Sequence, residues 1–164
     1  MINEDREVDN YNNLEHQTIE EDIDVQTSTP TWNRTPIPAQ YVTSPATNRN
    51  IPKRSSKIAA RALKKANFVC ENNQSDRVFL RKKGTHNYTE PHHLIPISKQ
   101  VEFDDNSLDI EDNIISLCSH CHNLLHYGRI EDKKTILRKL FNERKNALRQ
   151  CGIEIDFEKL LTYY

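Results

Sequence analysis

The reading of the fold turns on IISLCSHCHNLLHYG, residues 114–128. A brief apolar strand runs into a CxxC formed by Cys118 and Cys121, then into a short helix that carries His122 and His126 before Gly128 stops it. At CxxC spacing a tight turn lets two thiolates reach one tetrahedral zinc, each at ~2.3 Å. A redox pair is the competing use, but no βαβ pattern surrounds the motif, so metal is the reading taken. His122 and His126 stand at i and i+4, share one helix face, and can grip a second ion.

Upstream, YTEPHHLIPI at residues 88–97 places His92 and His93 on an extended segment interrupted by Pro91 and Pro96. Next to a helical histidine pair, this dipeptide lets four imidazoles divide two jobs. One completes a metal site while another stays free to take a proton from water near neutral pH. Strict strand alternation sends the two side chains to opposite faces, so serving one cleft requires a bend, expected at the prolines. The run RVFLRKK at 77–83 is expected to pair with this segment. Cys70, where a helix meets a turn, is the third zinc ligand; Asp76 in the same loop is favoured as the fourth, with Cys151 as the alternative thiol.

Further out, KIAARALKKA at 57–66 predicts a helix capped by Ser55 or Ser56, with Ile58, Ala62, Leu63 and Ala66 on one face and Arg61, Lys64 and Lys65 outward. EDKKTILRKLFNERKNALRQ at 131–150 predicts an amphipathic helix with a stripe of Ile136, Leu137, Leu140, Phe141 and Leu148. Residues 98–112 read as an acidic loop, and GIEIDFEKLLTYY at 152–164 opens with strand-like alternation. His86 and His120 read as surface residues.

The net charge of −1 conceals an asymmetry. Residues 1–52 carry 9 acidic and 3 basic side chains, whereas residues 53–164 carry 15 acidic and 20 basic. The first part, with five of the seven prolines, reads as an acidic, Pro/Asn/Thr-rich flexible arm or linker, and 53–164 as the folded domain. Between Lys53 and Lys83 ten Lys or Arg face only Glu71 and Asp76, an excess suited to a polyanion. Lys53, Arg54, Lys57, Arg61, Lys64, Lys65, Arg81, Lys82 and Lys83 are the candidate nucleic-acid contacts, against the plainer reading of a solvated face. No apolar run reaches the ~18 residues of a membrane helix, and MINEDREVDN has neither the basic start nor the apolar run of a secretory signal. The expectation is a cytoplasmic protein with reduced cysteines.

These residues resemble the HNH endonucleases. EPHHLIPIS is similar to that family's first motif, EDNIISLC to its central Asn motif, and CSHCHNLLH to its terminal zinc-knuckle and histidine motif. The frame from ALKKANFVCE through HYGR is similar to HNH domains of bacterial restriction enzymes of the modified-cytosine type. The resemblance covers about residues 53 to 150. It implies an α+β fold, a small ββα-metal core with flanking helices and a zinc knuckle. It makes His93 the general base and makes His92, His122 and His126 ligands of a catalytic divalent cation (Mg2+, Mn2+, or Ni2+/Zn2+). It has Asn113 brace the loop that orients His93 and Glu90 orient a ligand or contact the metal shell, beside the structural Zn2+ that the residues themselves suggest on Cys70, Cys118, Cys121 and Asp76 or Cys151. The implied activity is hydrolysis of DNA phosphodiester bonds, on double-stranded DNA, in restriction of foreign DNA, with a homodimer as one way to cut both strands. The alternative is a non-catalytic, zinc-stabilised DNA-binding module. One departure stands out: where related domains carry a second CxxC or a Cys and a His, this chain has Cys70 followed by Glu71, Asn72 and Asn73.

Overall fold

A computed structural model describes residues 18–23, 29–103 and 105–164. In chain order the elements are β1 (Tyr41–Thr43), β2 (Asn50–Pro52), α1 (Ser56–Lys65), β3 (Glu90–His93), β4 (Ile114–Leu117), α2 (Ser119–Tyr127), α3 (Ile130–Gln150) and α4 (Phe157–Leu161), with 3-10 turns at Ile97–Phe103 and Glu111–Asn113. A further helical segment spans 18–23. The fold is α+β, and among the described residues there are two small antiparallel sheets, β1–β2 and β3–β4. No helix among the described residues is long and apolar enough to cross a membrane.

The β3–β4–α2 unit is the centre of the molecule. Glu90 pairs with Leu117, His92 with Ile115 and His93 with Ile114. All four residues of β4 are buried, because helices cover both of its faces. Ile114 packs with Ala59, Ala62, Leu63 and Phe68 on the α1 side. Ile115 and Leu117 pack with Leu125, Leu137, Leu140 and Leu148 on the side of α2 and α3. Each fully buried Leu or Ile contributes about 1.5–3 kcal/mol, which makes this two-sided burial the main reason the short sheet persists. The expected stripe of α3 is buried as a set, and Lys133 is buried with it. The residue after α2 is glycine for a steric reason: a Cβ at Gly128 would run into the Leu124 side chain and lie 2.6 Å from the Leu124 carbonyl oxygen.

Two expectations change. RVFLRKK makes only a bridge between Leu80 and Asn87. The partner of β3 is β4, since an apolar IISL can be buried on both faces and a basic strand cannot. Residues 153–156 form no strand. Instead Asp156 caps α4 by accepting a bond from the Lys159 N–H at 2.7 Å. The described residues of the expected arm stay mostly exposed, with local contacts to the rest of the chain. Ile19 and Ile23 are buried, β1 and β2 form a hairpin, and Trp32 Nε1 donates to Asp112 Oδ2 at 2.8 Å while Arg34 pairs with the same carboxylate at 3.1 Å. Asp112 is 1% exposed. A buried carboxylate needs such partners, and no local signal in 29–52 points to it. Residues 1–17 and 24–28 of the expected arm lie outside the described residues.

Candidate active site

His92 on β3 and His122 and His126 on α2 converge. Their ring centroids lie 5.4 Å (His92–His122), 5.0 Å (His92–His126) and 4.6 Å (His122–His126) apart, and one nitrogen of each ring lies within 4.8 Å of the others. Burial, followed by the neighbouring imidazoles, holds His92 well below the ordinary histidine range. Burial and His122 lower His126 as well. Both shifts favour the neutral ring, the form that can ligate a metal.

Polar neighbours of His122 and His92 select their tautomers. Glu90 Oε2 lies 2.7 Å from His122 Nδ1, and Glu90 Oε1 accepts from Ser119 Oγ at 2.7 Å. A carboxylate only accepts, so Nδ1 carries the hydrogen and Nε2 keeps its lone pair. The Tyr164 hydroxyl donates to the Leu94 carbonyl at 2.8 Å and stands 2.9 Å from His92 Nε2. With its proton spent on that carbonyl, it accepts from Nε2–H and leaves His92 Nδ1 as the lone-pair nitrogen. Burial pushes the Tyr164 phenol up, so it stays protonated.

His93 is held separately. Its Nε2 lies 3.0 Å from Asp109 Oδ1, whose Oδ2 accepts the Ser55 backbone N–H at 2.7 Å. By the same argument Nδ1 is its free basic nitrogen. Strand alternation between His92 and His93 is kept: they pair with Ile115 and Ile114, which belong to the two opposite cores. The expected bend is unnecessary, because a cleft of about 640 Å³ wraps round the strand and is lined from both sides. Ser55 and Asp109 flank His93, and Lys133 and Tyr164 flank His92.

Asn113 touches none of the imidazoles. Completely buried, it accepts from the Ile95 N–H at 2.8 Å through Oδ1 and donates through Nδ2 to the Ile95 carbonyl at 3.0 Å and the Leu108 carbonyl at 2.8 Å. It therefore ties the chain just after His93 to the chain just before Asp109. Asp109, Tyr164, Lys133 and Ser119 escape a reading of sequence. Asp109 is one of several acids in its loop, and Tyr164 lies 72 residues from His92 with no motif around it. Lys133 looks like any helix lysine, although it is 4% exposed and donates to the Tyr164 carbonyl at 3.4 Å.

A second cluster gathers Cys70, Asp76, Cys118 and Cys121, with ligand atoms within 4.8 Å of one another. Asp76 Oδ2 lies 3.4 Å from Cys118 Sγ and 3.3 Å from Cys121 Sγ. A tetrahedral zinc with ordinary Zn–S and Zn–O bonds would set such atoms ~3.6 Å apart, so the donors fit that ion. Asn72 Nδ2 donates to Cys121 Sγ at 3.4 Å. Burial pushes the Cys118 and Cys121 thiols up, so a cation is what would make thiolates here. Cys151 is elsewhere, buried with its sulfur 4.0 Å from Asp112 Oδ2.

The candidate nucleic-acid contacts divide. Lys57, Lys65, Lys82 and Lys83 are exposed, Lys64 is half-buried, and exposed Lys53 reaches Gln40 Oε1 at 3.3 Å. Arg54 lines the cleft. Arg61 is half-buried and already engaged, donating to the Thr31 carbonyl at 2.7 Å and pairing with Glu111 at 3.2 Å. Arg81 is a correction: it is 6% exposed, donates to the Thr89 carbonyl at 2.9 Å and pairs with Glu20 at 3.6 Å. A guanidinium enclosed in this way cannot face a DNA backbone.

Residues 69–128 match the family model described as HNH endonuclease. The Type IV methyl-directed restriction enzyme EcoKMcrA of Escherichia coli (strain K12) is 31% identical to this chain over 88 residues. That stretch is 54% of this chain and 28% of the relative, so the match spans under a third of the relative's length. No solved structure gives a significant match.

Proposed function

With residues 69–128 as an HNH domain, we propose that the chain is a metal-dependent endonuclease that hydrolyses phosphodiester bonds of double-stranded DNA and serves restriction of foreign DNA. The observation that carries the reading is His93, pinned by Asp109 and sharing one cleft with the cluster of His92, His122 and His126.

The residues take complementary parts. A divalent cation held by His92, His122 and His126 would neutralise charge building on the phosphate and help the 3′ oxygen depart. His93 Nδ1 takes the proton of the attacking water, and Asp109 steadies the imidazolium that results through its bond to Nε2. Glu90 fixes the His122 ring and Tyr164 the His92 ring, both as positioning residues. Asn113 positions His93 and Asp109 through the loops it ties together. Lys133 adds a fixed positive charge to the wall that receives the phosphate. The Cys70, Asp76, Cys118 and Cys121 cluster would hold a structural zinc that clamps the start of α2 to the Cys70 loop. The restriction role follows the methyl-directed relative. One such site cuts one strand, so a double-strand break would take two copies or paired nicks.

The test is supercoiled plasmid incubated with purified protein and a panel of divalent cations. Nicking should require the cation, and His93→Ala should lose about 10²- to 10⁴-fold in rate while still binding metal and DNA. Undiminished nicking by His93→Ala removes it as the base. No nicking with any cation, together with intact DNA binding, leaves a zinc-stabilised DNA-binding module instead.

A further inference from the structure

Between the Cys70 loop and β3 the chain makes a short hairpin-like excursion. The Tyr88 N–H donates to the Phe79 carbonyl at 2.6 Å and the Arg81 N–H to the His86 carbonyl at 2.9 Å, with the turn eased by Gly84 at φ +80°. The tip is anchored where His86 stacks on buried Phe68, ring centroids 4.3 Å apart. At the base, Phe79 and Tyr88 stack nearly parallel, with centroids 4.9 Å apart and planes at 10°. Arg81 stands 5.1 Å from the Tyr88 centroid. This is an aromatic pair braced by a buried cation, yet Phe79 is 61% exposed and the adjoining Leu80 65% exposed. An exposed aromatic stack with an exposed leucine beside it marks a surface for something to cover.

The charge around the stack says what. From Arg77 through Thr89 the chain has four Lys or Arg, one His and no acid, and Arg77, Lys82 and Lys83 are exposed. An exposed π-face beside the exposed cations Arg77, Lys82 and Lys83 suits a nucleic acid, whose bases stack while its phosphates pair with the lysines. An apolar protein partner would not need the cations. Position adds a further argument. Tyr88 is four residues before His92, and extended chain of that length spans at most ~14 Å. DNA rises ~3.4 Å per nucleotide along each strand, so the stack lies within about four nucleotides of a phosphate in the cleft.

We propose that Phe79, with Leu80 beside it, is a nucleobase-stacking platform that receives a base of the DNA close to the cleaved bond, Lys82 and Lys83 holding the flanking phosphates. This rests on the nuclease reading for its substrate, and it adds a contact that senses bases rather than backbone. Such a platform favours steps that unstack easily, which the phosphate contacts cannot distinguish.

The experiment uses the full chain without added divalent cation and duplexes that carry a single 2-aminopurine at successive positions. Wild type should raise the probe's fluorescence at one or two neighbouring positions as the base leaves its stack. Phe79→Ala should abolish that response and bind about 5- to 100-fold more weakly, while Phe79→Trp restores both. Phe79 is mostly exposed, so neither change disturbs the core, and a melting curve checks this. Lys82→Gln with Lys83→Gln should keep the fluorescence response and reduce the slope of log affinity against log salt by about 2. Wild-type affinity and response in Phe79→Ala would overturn the platform. So would altered self-association in that variant with DNA affinity unchanged, which would make the patch a protein interface. Plasmid nicking is scored separately on wild type. Nicking with an inert Phe79 sinks the platform alone, and a Phe79-dependent response without nicking sinks the nuclease reading alone.

Discussion

Removing the Asn113 side chain tests whether the motif asparagine acts through structure. Asn113→Ala deletes three hydrogen bonds, all to backbone groups of Ile95 and Leu108, and both of those residues are fully buried. Each lost bond costs about 0.5–1.5 kcal/mol net. Leaving one N–H and two carbonyls without a partner away from water raises the total to about 3–6 kcal/mol. That is a large share of the ~5–15 kcal/mol that holds a domain together. At roughly 2–4 °C per kcal/mol for a chain of this size, the melting temperature should fall by about 10–20 °C. Thermal unfolding followed by circular dichroism, with urea titration alongside, measures both quantities. Below its melting point the variant should keep its metal content, because Asn113 touches no candidate ligand. It should lose cleavage as His93 and Asp109 drift apart. His93→Ala should show the reverse pattern, with stability near wild type and cleavage gone. An Asn113→Ala protein melting within ~3 °C of wild type would refute the idea that this side chain is a structural tie.

The other predictions concern single contacts. Tyr164→Phe removes the hydroxyl that holds His92 Nε2 and should lower metal affinity or cleavage by about 10- to 100-fold in a folded protein, read by metal titration beside plasmid nicking. Asp76→Ala should lose tightly bound zinc by elemental analysis, whereas Cys151→Ser should retain it; the opposite pattern would exchange their roles. Strong chelation should loosen the domain, seen as a drop in melting temperature, because such sites supply on the order of 10 kcal/mol of coupled folding energy. Gly128→Ala should destabilise by about 1–3 kcal/mol in urea unfolding, since the added methyl meets the Leu124 carbonyl.

What could be read from the sequence was local. The β4–α2 junction, the i, i+4 pair of His122 and His126, the CxxC and the apolar stripe of α3 all follow from periodicity and spacing within about twenty residues, where backbone geometry leaves few choices. Loop proximity to Cys70 favours Asp76 over Cys151 in sequence; that Asp76 also stands beside Cys118 and Cys121 is a matter of the fold. The partners that act across the chain could not be read. Asp109 for His93, Tyr164 for His92 and Asp112 for Trp32 and Arg34 join residues 16, 72 and about 80 positions apart. Nothing in the local pattern of a carboxylate or a phenol says that it will be buried, and burial is what obliges it to find those partners. The same holds for Arg81, which as sequence is one more cation in a basic run and in the fold is an enclosed brace. Spacing along the chain marked the histidines and cysteines that could serve; tertiary packing decided which nitrogen of His92, His93 and His122 keeps its lone pair and which charges still face solvent, because tautomer and exposure depend on neighbours that only folding supplies.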